Sequence, residues 1–158
     1  MGYSPPVPLT PARLTRYLST TDYFRDVDIL SLSAVANRFE VVYISRGEEL
    51  FAEGSEGEAW YIIVEGGIDL TGSTPTGESL FLVHLSSGDG FGEIALLENV
   101  PRTATATATT TTTLARLPRA AFERQLKGGN PAAAMMLHGI AVRMSRRLRA
   151  LSRSVQGL

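Results

Sequence analysis

Gly88-Asp89-Gly90-Phe91-Gly92-Glu93-Ile94-Ala95-Leu96-Leu97-Glu98-Asn99-Val100-Pro101-Arg102-Thr103-Ala104-Thr105 is the stretch on which the reading of this chain turns. Glycines at 88, 90 and 92 leave room for close backbone approach, and an acid, a short apolar run and a Pro-Arg-Thr turn follow them. A short helix opening near Gly92 would aim free backbone N–H groups and the positive end of its dipole at an anion. Arg102 would add a permanent, planar, two-pronged donor that lysine copies poorly.

Working outward, apolar runs with a period of two stand at residues 39–44, 49–52, 60–64, 68–71, 80–85, 103–109 and 112–117, so seven strands are expected. The breaks between them, such as Glu53-Gly54-Ser55-Glu56-Gly57 and Glu65-Gly66-Gly67, are rich in residues that tolerate positive φ or cap a turn. The Thr/Ala alternation from Thr103 to Thr113 reads as two paired strands, since β-branched threonine favours a pleated backbone. Short strands with regular turns predict a β-roll or barrel. Upstream, Leu14, Leu18, Phe24, Ile29, Leu30, Leu32 and Val35 recur at helical spacing with breaks near Thr20-Thr21-Asp22 and at Asp28, which predicts two or three short helices. Downstream of Pro118 the helical period returns over 119–127, then in a long helix that Asn130 caps and Pro131 opens. That helix carries Leu137, Ile140, Met144, Leu148, Leu151 and Val155 as one stripe, which folds back over the roll, pairs with a second copy of the chain, or does both.

The expected fold class is therefore α+β and mostly β: a jelly-roll-like β-roll over 39–117, preceded by helices over 11–38 and closed by C-terminal helices over 118–155. Residues 1–10, with Pro5, Pro6 and Pro8, read as a flexible lead-in. A length of 158 residues with 44% hydrophobic content suits one domain with a sizeable core. The absence of cysteine excludes disulfides and thiolate metal sites and agrees with a reducing compartment, so a cytoplasmic location is expected. No window reaches the roughly 18 apolar residues of a membrane span, and the start lacks a secretory signal. The net charge of −1 hides an asymmetry: no acid follows Glu123, whereas Lys127, Arg143, Arg146, Arg147, Arg149 and Arg153 do. Such a basic tail is read first as a solvated helix face.

Residues 88–105 resemble the phosphate-binding cassette of the cyclic-nucleotide-binding domain family, of the catabolite activator and kinase regulatory-subunit type. The match is carried by Phe91-Gly92-Glu93, Ala95, Leu96-Leu97 and Pro101-Arg102-Thr103-Ala104-Thr105, including the spacing from Glu93 to Arg102. Glu53-Gly54 and Ala59-Trp60-Tyr61-Ile62-Ile63-Val64-Glu65-Gly66 are similar to the family's turn and third strand, and the resemblance runs over roughly residues 14 to 155. It implies a ligand, cyclic AMP or cyclic GMP, held by Phe91, Gly92, Glu93, Ile94, Ala95, Arg102, Thr103 and Ala104. A cyclic nucleotide presents one phosphodiester anion, a free ribose 2′-hydroxyl and a flat base. Arg102 and the helix start suit the anion, Thr103 adds a hydroxyl or amide, and ionised Glu93, an acceptor only, suits the hydroxyl. Glu93 could instead cap the helix it opens. The side chains of Ile94, Leu96, Leu97, Trp60 and Tyr61 read as core.

The sequence departs from the family pattern in two places. Gly67 stands where the fourth strand begins with a larger residue, so that strand is expected to bend. No residue of the last helix announces itself as the cap on the base; His138, Arg143 and Ser145 are candidates, and the reading leans to cyclic AMP over cyclic GMP. Catalysis is not expected, because His84 and His138 lie on different elements and offer neither a metal cluster nor a nucleophile with its base. A regulatory sensor is expected, as a module of a larger protein or complex, with a fused or associated effector and a second copy through the last helix as candidate partners. The alternatives are a transcription-regulator-type sensor lacking its DNA-binding part and a degenerate domain used for protein interaction. Sequence-specific DNA binding by this chain alone is not expected, since no recognition helix follows the last helix before Leu158.

Overall fold

The computed structural model describes residues 8–156, so residues 1–7 of the expected lead-in lie outside the described residues. Helix α1 (Pro11–Ser19) starts where the Thr10 hydroxyl accepts the Arg13 N–H at 3.3 Å, and α2 (Ile29–Ala36) where the Asp28 carboxylate accepts the Ser31 N–H at 2.9 Å. The break at Thr20-Thr21-Asp22 is a turn, and Tyr23 and Phe24 just after it are buried.

The strands then form two four-stranded antiparallel sheets. Strands β1 (Glu40–Ile44), β2 (Glu49–Phe51), β3 (Ala59–Glu65), β4 (Gly67–Ser73) and β5 (Ser79–Ser86) precede the short β6 (Gly90–Phe91). Strands β7 (Thr105–Ala108) and β8 (Thr112–Pro118) follow it. One sheet runs β1-β8-β3-β6 and the other β2-β7-β4-β5. The eighth strand, β6, was not expected: it pairs only Phe91 with Tyr61 and Gly90 with Ile62, too short a run to show a period.

Two cores explain the hydrophobic pattern. Tyr61 and Ile63 of β3, Leu114 of β8 and Phe91 point between the sheets, together with Ile44, Ile68, Leu85, Ala106 and Ala108. Trp60 and Ile62 of β3, with Ala115 and Leu117 of β8, point the other way into a cluster made by the helices. Strand β3 is thus covered on both faces and reads as a continuous apolar run, not an alternation. Strand β7 shows the simpler rule: Ala106 and Ala108 face inward while Thr105 and Thr107 are half-buried on the other face. Strand β5 ends its sheet, so most of its apolar run stays in solvent, Phe81 being 60% exposed. The expected bend at Gly67 is corrected. The irregularity in β4 falls between Leu70 and Thr71, and Gly67 is glycine because a Cβ there would lie 2.6 Å from Thr109 Oγ1.

A short helix α3 (Ile94–Leu97) interrupts the second half of the roll. Helices α4 (Arg119–Lys127) and α5 (Pro131–Gln156) close the chain. Asn130 organises this end: its Oδ1 accepts the Ala132 N–H at 2.8 Å, and its Nδ2 donates to Ser31 O and Gln125 Oε1, both at 3.0 Å. The stripe on α5 divides. Met136 and Ile140 are buried against the helical core, with Leu137 and Met144 packed beside them, whereas Leu148, Leu151 and Val155 are 64–70% exposed. Among the described residues no helix is long and apolar enough to cross a membrane.

Candidate functional site

Strand β6 delivers the chain to Gly92, whose φ of +77° starts the turn into α3; a Cβ there would fall 2.6 Å from Arg102 Nη1. The far end of the segment is fixed to the turn before β3. Arg102 N–H donates to Ser55 O at 2.7 Å and Gly54 N–H donates to Arg102 O at 2.8 Å. The backbone at both ends of α3 is therefore set by the roll, and Arg102 is aimed inward.

Arg102 as a whole is 8% exposed. Nη2 donates to Ala59 O at 2.9 Å and Nη1 to Gly92 O at 3.4 Å, while the Phe51 ring centroid lies 4.1 Å from Cζ. Nε is buried and has no partner, and among the described residues Arg102 forms no ion pair. Burial lowers its affinity for the proton, against the attraction of Tyr61 and Glu93, yet a guanidinium stays charged in proteins. A buried, unpaired cation with an unused donor is a site that an anion would complete.

Above it opens a cavity of about 140 Å³ lined by Gly92, Glu93, Ile94, Ala95, Arg102, Thr103 and Ala104, with Phe51, Leu70, Val100 and Pro101 as its apolar wall. Seven of the eight sequence-derived site residues are brought together there. Phe91 is not: it is fully buried and stacks on Tyr61 at 5.5 Å, inside the core between the sheets. Trp60 is likewise buried, in the helical core. Leu96 is buried, but Leu97, read as core, is 45% exposed.

Glu93 sits at the start of α3 without capping it; its Oε1 accepts from Arg147 Nη1 of α5 at 3.2 Å. One turn earlier on α5, Arg143 Nη2 donates to Asp89 Oδ1 at 2.9 Å, with Arg143 Cζ 5.6 Å from the Tyr23 ring centroid. The last helix is thus tied to this segment by two ion pairs at i and i+4. His138, Arg143 and Ser145, the capping candidates, do not line the cavity; Arg147 does. Sequence reasoning counted Arg147 only in the basic tail, although its position one turn after Arg143 was a readable signal.

The comparisons agree with this geometry. A family model described as the cyclic nucleotide-binding domain matches residues 41–128, more than half of the chain. The chain belongs to the cyclic nucleotide-binding domain family. A cAMP-dependent protein kinase regulatory subunit of Mycosarcoma maydis is 35% identical over 102 residues, covering 65% of this chain and 19% of that protein. A CRP-like cAMP-activated global transcriptional regulator of Mycobacterium tuberculosis is 27% identical over 129 residues, covering 82% of this chain and 58% of that protein. The catabolite activator protein of Thermus thermophilus shares the fold, with a TM-score of 0.77 at 24% identity over 86% of this chain and 62% of that one. The chain thus spans about a fifth of the kinase subunit and under two thirds of the regulator. Residues 92–95 and 100–104 line the cavity, and α5 reaches it through Arg147.

Proposed function

We propose that this cyclic nucleotide-binding domain is a non-catalytic sensor that encloses cyclic AMP, in preference to cyclic GMP, and reports its presence through α4 and α5. The carrying observation is Arg102: a buried cation with an orphan Nε, at the floor of a cavity whose wall is the opening turn of α3. Arg102 and the N–H groups at that turn hold the phosphodiester, Thr103 supplies a further donor, and Glu93 accepts from the ribose 2′-hydroxyl. The preference for cyclic AMP rests on the relatives, whose names carry that nucleotide.

Glu93 is held by Arg147, so a nucleotide that claims the carboxylate loosens one of the two ties of α5. Ligand and helix position become linked, as in any two-state switch whose states differ in ligand contacts. The output then passes to an effector, fused or associated, in the cytoplasm. A second copy is the natural cover for Leu148, Leu151 and Val155, because the residues flanking that stripe include Ser145, Ser152 and Ser154, while Arg146, Arg149 and Arg153 lie on the opposite side. The match to a transcriptional regulator favours a second reading, a sensor half of such a protein, for which the same dimer would be the output.

The test is calorimetric titration of cyclic AMP and cyclic GMP into protein that has been unfolded and refolded to strip bound ligand. One-to-one binding, tighter for cyclic AMP and weakened by about 2–5 kcal/mol in Arg102→Ala, is expected. Absence of heat from folded protein overturns the reading.

A further inference from the structure

A second arginine contacts the cassette without lining the cavity and has no part in the site as described above. Arg119 is the first residue of α4. Its Nη1 lies 3.1 Å from Ala95 O, 3.4 Å from Glu98 O and 3.4 Å from Gly57 O, and its Nη2 lies 3.4 Å from Asn99 Oδ1. Its own N–H donates to Glu58 O at 2.7 Å.

Three features set this cluster apart from an ordinary surface arginine. The carbonyl of Ala95 is left unpaired by so short a helix as α3, and Arg119 satisfies it. A cation at the C-terminal end of α3 is favourable, whereas the same cation at the N-terminal end of α4 opposes that helix's dipole, and α4 has no acid in its first turn to compensate. The residue is therefore well placed for the cassette and badly placed for the helix that carries it. Finally, Gly57 and Ala95 lie between the two arginines: their carbonyls face Arg119, while a Cβ on Gly57 would meet Arg102 Nε at 2.8 Å and Ala95 Cβ at 3.1 Å. Any shift of α3 toward an anion on Arg102 pulls on the acceptors that Arg119 holds.

We propose that Arg119 is a positioning residue that clasps the back of the cassette to the root of α4, so that closure of the cassette on its ligand is transmitted to α4 and α5. It touches no ligand itself. Its action in signalling rests on the cyclic-nucleotide reading, whereas its action as a clasp does not.

The experiment has two arms on the full chain with Arg119→Gln and Arg119→Lys. Without ligand, amide hydrogen exchange is expected to speed at least tenfold over 94–99 in Arg119→Gln, with β3 unchanged and Arg119→Lys between the two. Unchanged exchange over 94–99 overturns the clasp, whether or not the chain binds a nucleotide. With saturating cyclic AMP or cyclic GMP, the distance between spin labels on cysteines placed at Ser79 and Ser152, in a chain that has no cysteine of its own, is expected to change in the parent. The same nucleotide binds Arg119→Gln but produces less than half of that change, and Arg119→Lys recovers part of it. An undiminished change in Arg119→Gln overturns the transmission role. A parent that binds no nucleotide defeats the sensor reading and leaves the exchange arm to decide the clasp.

Discussion

Gly57 and Gly54 stand three residues apart in the turn that holds Arg102, yet they are glycine for opposite reasons, and alanine at each separates binding from folding. At Gly57 the backbone carries no positive φ, so alanine alone would gain about 0.4–1 kcal/mol by restricting the unfolded chain. Its Cβ, however, would sit 2.8 Å from Arg102 Nε and 3.0 Å from Cζ. The guanidinium has little space to yield, wedged against the Phe51 ring at 4.1 Å and bonded to Ala59 O. Relief of the overlap by a few tenths of an ångström spoils one of its two prongs toward a phosphate. A charge-assisted hydrogen bond contributes about 1.5–3 kcal/mol, so Gly57→Ala is expected to lose about 1–2 kcal/mol of ligand affinity, roughly five- to thirtyfold. Global stability should stay within about 1 kcal/mol of the parent, since the gain and the clash oppose each other. At Gly54 nothing lies within 4 Å of a Cβ, but φ is +85°. Gly54→Ala should therefore cost about 1–2 kcal/mol of stability and leave affinity nearly unchanged. Calorimetric titration beside urea unfolding reads both. Equal affinities in Gly57→Ala and the parent, with Gly57→Ala well folded, would refute the claim that the position of Arg102 controls binding.

Tyr23 gives a pH test. Burial pushes its hydroxyl up to about 12, against the lowering influence of Arg143 and of the hydrogen bond from Gly90 N–H. The unfolded chain ionises near 10, so between these values the folded state holds the extra proton and stability falls as pH rises, by about 2–3 kcal/mol at the top of the window. Tyr23→Phe loses about 1 kcal/mol at neutral pH with the Gly90 bond, lacks that slope, and should overtake the parent near about pH 11 in urea-unfolding series. For the tie on α5, Arg147→Gln should tighten cyclic AMP up to about fivefold, the limit for a partly exposed ion pair, and leave 2′-deoxy cyclic AMP unaffected. Equal gains for both ligands would show that Glu93 does not read the 2′-hydroxyl.

Most of the fold was legible because local signals agreed with it. The break at Asp28 and the cap at Asn130 were readable, and the Thr/Ala alternation of β7 shows which face is buried. The two strands read from Thr103 to Thr113, however, do not pair with each other: β7 lies between β2 and β4, and β8 between β1 and β3. Strand β6 was not legible, since two residues carry no period and its pairing to Tyr61 is set by tertiary packing. The run from Leu80 to Leu82 misleads in the other direction: apolar residues on a terminal strand look like a core strand until the neighbour that would cover them proves absent from the sheet. In the site, glycine, glutamate and arginine at fixed spacing pointed to residues that the fold brings to one cavity. Phe91 shares that motif but serves the core, because alternation along β6 turns it between the sheets. The spacing of Arg147 one turn after Arg143 marks the helix face it shares, but the partners of Arg147 and Arg119 lie 20 to 62 residues away in sequence, and no local pattern encodes which segment each meets.

The two arginine ties meet α5 near its middle, and beyond them the helix runs on with little beneath it. From Arg147, the second tie, to Gln156 is 9 residues, about 14 Å of helix at 1.5 Å per residue. A tilt of about 10° at the cassette would carry the far tip through about 2.4 Å, nearly half the pitch of a helical turn. If the proposed switch tilts α5, its unburied end would act as a lever arm whose length amplifies a small adjustment at the cassette into a displacement at a neighbouring surface.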